Sequence, residues 1–255
     1  MHTYVDGSWS PPDEDVTCPF AGYGVAELIE LGACARGARA STERVTARCA
    51  TDGRSNAVLG PMPGQPPPAR AADDLRVPLG QLTTHGPDGD GVARLAWIKV
   101  GTVQDERDAA DYIGACGHTN NTGELSALYY ALERALQRRG TREVVHSDSL
   151  YAINMTRGVW LPRRKGKRNA PMIGRLRSLW CRLRWERPGE VELRHVRSHV
   201  RVPGNELADY LAEAGRSPGS DVTLESATDW LRQWLRRHHA PGPPGRGLGA
   251  GMGIG

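Results

Sequence analysis

The chain has 255 residues and a mass of 27.7 kDa, enough for one domain with additions or two small ones. Hydrophobic residues make up 39% and charged ones 24%, and no apolar run approaches the ~18 residues of a membrane span, so a membrane protein is excluded. The first residues lack a basic stretch followed by an apolar core, and the five cysteines are scattered with no C-x-x-C pair; the expectation is an intracellular protein with reduced thiols, in cytoplasm or nucleus.

Residues 3–9 read as a short strand running into a Gly-Ser turn. Tyr23 to Leu31 alternates loosely through Val25, Leu28, Ile29 and Leu31 and reads as the next strand. From about residue 33 to residue 110 the pattern dissolves into an irregular Pro/Gly-rich insert, with the Pro-rich run Gly60 to Pro68 and one candidate strand at Arg94 to Val100. Asp88-Gly89-Asp90-Gly91 inside it reads as a turn, since the later ligand positions of a calcium loop are missing.

Order returns with a strand expected at Tyr112 to Cys116. Thr119-Asn120-Asn121 then caps a helix with Leu125, Leu128, Tyr129, Leu132 and Leu136 at helical spacing, stopped by Gly140. Glu143 to Ser147 is a strand ending at Asp148, and Ser149 to Met155 starts a helix. Asn169 is expected to cap another helix, carrying Ile173, Leu176, Leu179, Trp180 and Leu183. A strand at Val191 to Val196 and a helix at Glu206 to Ala214 complete an α/β domain over residues 1–216. Residues 217–239 read as a linker and a short amphipathic basic helix, whose side with Trp230, Leu231, Trp234 and Leu235 is expected to pack on the domain, with a partner surface as the alternative. Residues 240–255 are Gly/Pro-rich and expected to be a flexible tail.

The net charge of +4 is unevenly spread. Between Arg157 and Arg187 eleven Lys and Arg residues face Glu186 alone, so this stretch carries +10 and the remainder −6. A positive stripe on an otherwise acidic chain is the electrostatic footprint of phosphate binding; a solvated helix face is the bland alternative.

Four acids stand where an acid is awkward for stability alone. Asp6 lies within the first strand, Glu124 in the first turn of a helix, Asp148 at a strand end and Asp209 in a helix between Ala208 and Tyr210. Carboxylates at adjacent strand ends repel unless cations intervene, and four converging on one point suit a hard divalent metal such as magnesium.

Tyr4-Val5-Asp6-Gly7-Ser8, Gly22-Tyr23-Gly24, Thr119 to Leu125, Ser147-Asp148-Ser149, and His199 followed by Gly204-Asn205-Glu206-Leu207-Ala208-Asp209 together closely resemble ribonuclease H type 1. The motifs stand in the family's order over about residues 3–216, the insert excluded. Integrases, transposases and proofreading exonucleases order their acids differently. The resemblance implies a five-stranded mixed sheet with helices on both faces, and a monomeric endonuclease that hydrolyses the RNA strand of RNA–DNA hybrids to 5′-phosphate products. It makes Asp6, Glu124, Asp148 and Asp209 ligands of two Mg2+ ions, with Mn2+ as a substitute, in a two-metal mechanism.

The same resemblance gives His199 a part in water activation or product release, Asn120 and Asn121 contacts to the RNA strand, and Thr119 a DNA phosphate. Trp160 is placed near the DNA strand or, equally, in the core. Arg163, Arg164, Lys165, Lys167 and Arg168 are expected to hold DNA phosphates in a handle much shorter than in bacterial members. Gly123 replaces a larger residue of many relatives and is expected to loosen its helix by up to ~1 kcal/mol. A retroelement's ribonuclease H region and a non-catalytic hybrid-binding module are the alternatives; the Met two residues before the first strand favours a free-standing protein and the four intact acids favour an enzyme.

Overall fold

The computed structural model describes residues 1–10, 20–31, 75–78, 90–162, 169–217 and 219–238. Six strands, β1 (His2–Trp9), β2 (Ala21–Leu31), β3 (Leu75–Pro78), β4 (Asp90–Thr102), β5 (Glu143–Ser147) and β6 (Val191–His195), form one sheet in the order β3-β4-β2-β1-β5-β6. β1, β2, β4 and β3 pair antiparallel, whereas β1–β5 and β5–β6 pair parallel. This is the expected five-stranded mixed sheet with a short sixth strand added at one edge. The helices are α1 (Asn120–Gln137), α2 (Leu150–Arg157), α3 (Ala170–Glu186), α4 (Pro203–Gly215) and α5 (Leu224–His238).

The period-two alternation of the strands divides the apolar residues between two cores. Val5 and Val25 pack with Leu125, Leu128 and Leu132 of α1 and Leu176 of α3 on one face. Tyr4, Ala26 and Leu28 pack with Leu207 and Leu211 of α4 and Leu231 of α5 on the other. α5 thus docks on the domain, with Ala227, Leu231, Trp234 and Leu235 buried, as its apolar side requires. No described helix is long and apolar enough to cross a membrane.

Three expectations change. Residues 90–102 belong to the sheet: β4 is longer than Arg94 to Val100 and pairs with β2 from Val92 to Thr102, so the interruption lies between Leu31 and Asp90 and contains β3. A register shift crosses this strand. Glu27 faces Trp97 while Leu28 faces Leu95, which leaves Ala96 over and breaks the alternation a strand reading depends on. Tyr112 to Cys116 is a loop and not a strand. Gly114 turns it at φ +103, Ile113 and Ala115 are buried, and the Tyr112 carbonyl accepts from Arg175 at 2.8 Å. Asn169 occupies the N-cap position of α3 but makes no side-chain capping bond, the helix start carrying a Pro instead. The tail at 240–255 lies outside the described residues.

Buried ionic groups lock the end of the sheet where β5 begins. Arg187, 2% exposed, donates to the carbonyls of Ala135 and Thr141 and lies 3.8 Å from Glu143, which accepts from Thr3 Oγ1 at 2.8 Å. Glu27, fully buried, pairs with Arg138 at 2.6 Å.

Candidate active site

Parallel pairing of β1 with β5 sets Val5 opposite Ser147, which places Asp6 and Asp148 side by side, each one residue further along. The Gly7 N–H donates to Asp6 Oδ1 at 2.7 Å and fixes that carboxylate. α1 brings the third acid. Thr119 and Thr122 form a capping box that starts the helix, and one turn in, Glu124 points at the strand ends. The helix approaches so closely because it meets glycine: a Cβ on Gly123 would lie 2.5 Å from the Gly22 carbonyl oxygen. Gly123 is therefore a contact requirement, a role that helix propensity does not show.

Asp6, Glu124 and Asp148 each offer an oxygen within 4.8 Å of the others. At that separation each pair of like charges costs roughly 3 kcal/mol at an effective dielectric near 20, so the group favours a cation or protons. Burial first, then repulsion from Asp148, raises the Asp6 carboxyl well above the ordinary range. Burial first, then Asp6, does the same to Glu124. Glu124 Oε1 accepts from Asn120 Nδ2 at 3.3 Å, but Oε2 is buried with no hydrogen-bond partner. An anionic oxygen left bare among carboxylates fits a cation.

Asp209 comes from α4, whose backbone lies against β2 at Gly24, where a Cβ would meet the Ala208 oxygen at 2.3 Å. It stands outside the compact group of three yet raises both Asp6 and Glu124. Its own carboxyl is raised by burial, an effect His199 opposes.

The RNase H family model matches residues 91–217, and the ribonuclease H of Jannaschia sp. (strain CCS1) is 35% identical over 140 residues, 52% of this chain and 83% of that protein. The chain belongs to the ribonuclease H family. The ribonuclease H of Saccharopolyspora erythraea is 35% identical over 138 residues, 51% of this chain and 81% of that one. Among solved structures, RNase H1 of Halobacterium salinarum NRC-1 is similar with a TM-score of 0.41 and 17% identity, over 84% of this chain and 95% of that one.

In this ribonuclease H the family match begins at β4, so Asp6 lies ahead of the matched segment and is brought beside Asp148 by strand pairing. Thr119, Asn120 and Asn121 are exposed at the first turn of α1, and Asn120 also holds Glu124. Trp160 is 45% exposed, which rules out the core reading. His199 is exposed in the loop before α4 at φ +53, with Arg201 at +64; each such left-handed side-chain-bearing residue costs ~1 kcal/mol.

Arg163, Arg164, Lys165, Lys167 and Arg168 lie outside the described residues. Other members of the positive stripe serve the fold. Arg187 is buried, Arg177 donates to the carbonyls of Met155 and Trp160, and Arg157 donates to that of Leu193. Asn205 is a site neighbour for which the sequence suggested no role: its Nδ2 donates to Asp148 Oδ2 at 3.5 Å, and it sits inside the motif that carries Asp209.

Proposed function

We propose that this ribonuclease H cleaves the RNA strand of RNA–DNA hybrids as a monomer, leaving 5′-phosphate ends. Asp6, Glu124, Asp148 and Asp209 would hold two Mg2+ ions, with Mn2+ as a substitute. The observation that carries this reading is the convergence of three carboxylates within 4.8 Å around a buried Glu124 oxygen that has no hydrogen-bond partner. Bound there, the cations would activate the attacking water and stabilise the leaving 3′ oxygen.

The rest is done by the chain's own groups. The Gly7 amide, Asn120 and Asn205 fix the orientations of Asp6, Glu124 and Asp148, so little is left to reorganise when substrate arrives. Asn120 and Asn121 face the RNA strand and read its minor groove and 2′-hydroxyls, which selects RNA over DNA. Thr119, Trp160 and the basic residues Arg163, Arg164, Lys165, Lys167 and Arg168 receive the DNA strand. His199 moves a proton at the attacking water or at the product.

The test is incubation of a labelled hybrid with Mg2+ or with EDTA, beside duplex RNA and duplex DNA. RNA fragments with 5′-phosphates from the hybrid alone, and only with metal, are expected. Cleavage in EDTA, or of the DNA duplex, would overturn the reading.

A further inference from the structure

We propose that Glu206 is a positioning residue: it clasps the loop that carries His199 by accepting a hydrogen bond from the Arg201 backbone. The inference rests on the hybrid-cleavage reading for its catalytic consequence, but the clasp itself is a feature of the fold.

The loop from Val196 to Val202 is pinned at its ends, where both valines are buried and the Val196 N–H donates to the Ser147 carbonyl at 3.0 Å, but the residues between them are not. Residues 197 to 201 are exposed, and two of them, His199 and Arg201, take left-handed backbone angles on either side of Val200. Such angles persist in side-chain-bearing residues only where the surroundings impose them. The start of α4 offers no ordinary restraint. Its N-cap residue is Val202, which makes no side-chain capping bond, and Pro203, next in line, has no N–H.

Glu206 supplies the restraint from one turn inside the helix. Its backbone N–H donates to the Val202 carbonyl at 3.0 Å, and its Oε1 accepts from the Arg201 N–H at 3.2 Å. That second bond requires the Arg201 amide to face the helix, which the left-handed angle at Arg201 achieves. Releasing it lets residues 199–201 relax to ordinary backbone angles and swings His199 away. Glu206 and Asp209 are three residues apart on α4, so they share one side of the helix. The clasp therefore ties the loop of His199 to the same helix that supplies Asp209. It needs an acceptor oxygen at position 206, not a negative charge.

Two measurements test this. The first is hybrid cleavage in Mg2+ by wild type, E206A, E206Q, H199A and the E206A/H199A double variant, with melting temperatures to confirm folding. A well-placed proton-handling group is worth 10²–10⁴-fold, so displacing it by E206A should lower kcat by about tenfold or more while KM moves less than about twofold. E206Q, whose amide oxygen can accept the same bond, should stay within about threefold of wild type, and the double variant should be no slower than H199A. The second is amide hydrogen exchange at Arg201, which should be protected in wild type and E206Q and fast in E206A. E206A turning over like wild type, E206Q as slow as E206A, multiplying losses in the double variant, or an Arg201 amide equally fast in all three would each overturn the proposal. Failure of wild type to cut hybrids would instead defeat the activity reading, and exchange at Arg201 would still decide the clasp.

Discussion

Gly7 and Glu124 are in backbone contact: a Cβ on Gly7 would stand 2.0 Å from the Glu124 nitrogen. Strand and helix touch here with no side chain between them, and that contact is how an acid on a helix reaches an acid on a strand. Gly7→Ala should push the first turn of α1 outward. Overpacking of this kind costs about 1–3 kcal/mol, so the variant should still fold, while the separated carboxylates lose metal-dependent cleavage disproportionately. Melting temperature and hybrid cleavage measured together check this; full activity would mean the contact is dispensable.

Asp6 and Glu124 should be more stable as amides than as acids when no cation is present. Both carboxyls are raised, by burial first and then by their acidic neighbours, so the folded state holds protons that the unfolded chain releases. Metal-free stability is then fully present below the unfolded carboxylate range, near pH 4, and is lost as pH rises through the higher folded values. Asp6→Asn or Glu124→Gln should therefore gain about 1–2 kcal/mol at neutral pH in EDTA, flatten the dependence of stability on pH, and abolish cleavage. Thermal unfolding across a pH series in EDTA is the measurement.

Deleting Ser41 to Asp73 should leave the sheet and cleavage in place. Leu31 pairs with Val92 and Leu75 pairs with Ala93, on opposite sides of β4, so the two ends to be joined are two strand spacings apart, about 10 Å. The roughly ten residues left after the deletion can span about 33 Å. Loss of folding, followed by circular dichroism, would show that the removed stretch supports the domain.

Replacing Arg163, Arg164, Lys165, Lys167 and Arg168 with Ala should weaken capture of the hybrid and flatten its salt dependence. Each lost phosphate contact removes about 0.7–0.9 from the slope of log affinity against log salt concentration. Cleavage at saturating hybrid should survive, and sequence preference should change little, because phosphate contacts position without reading bases. Binding in calcium at several salt concentrations gives the answer; an unchanged slope would make these five a solvated loop.

Much of the site was legible because its acids sit in local patterns a linear reading can recognise. Asp6 interrupts a strand, Glu124 follows a capping sequence and Asp148 ends a strand, and the structure brings these three together. Asp209 was legible as an acid within a helix, but not its place outside the compact group. What could not be read depended on contacts between distant segments. The pairing of β4 with β2 made a candidate strand of the insert into part of the sheet, and the approach of α1 to β1 gave Gly123 a purpose that helix propensity does not show. The positive stripe misled in part for a related reason. Sequence counts charges but does not show which ones the fold consumes, as it does Arg177 and Arg187.

The buried Arg187 guanidinium has a consequence for how the molecule comes apart. It holds the last turn of α1, the connection into β5 and the end of α3 at once, through Ala135, Thr141 and Glu143. Opening any one of these segments alone would leave a buried charge without its partners, an arrangement that costs several kcal/mol. Fraying of one helix end is therefore suppressed, and the three segments should melt as a single cooperative block. In native-state exchange, the amides around Leu132, Val145 and Leu183 would then open only with the whole protein, while the His199 loop at the opposite end of the sheet exchanges independently.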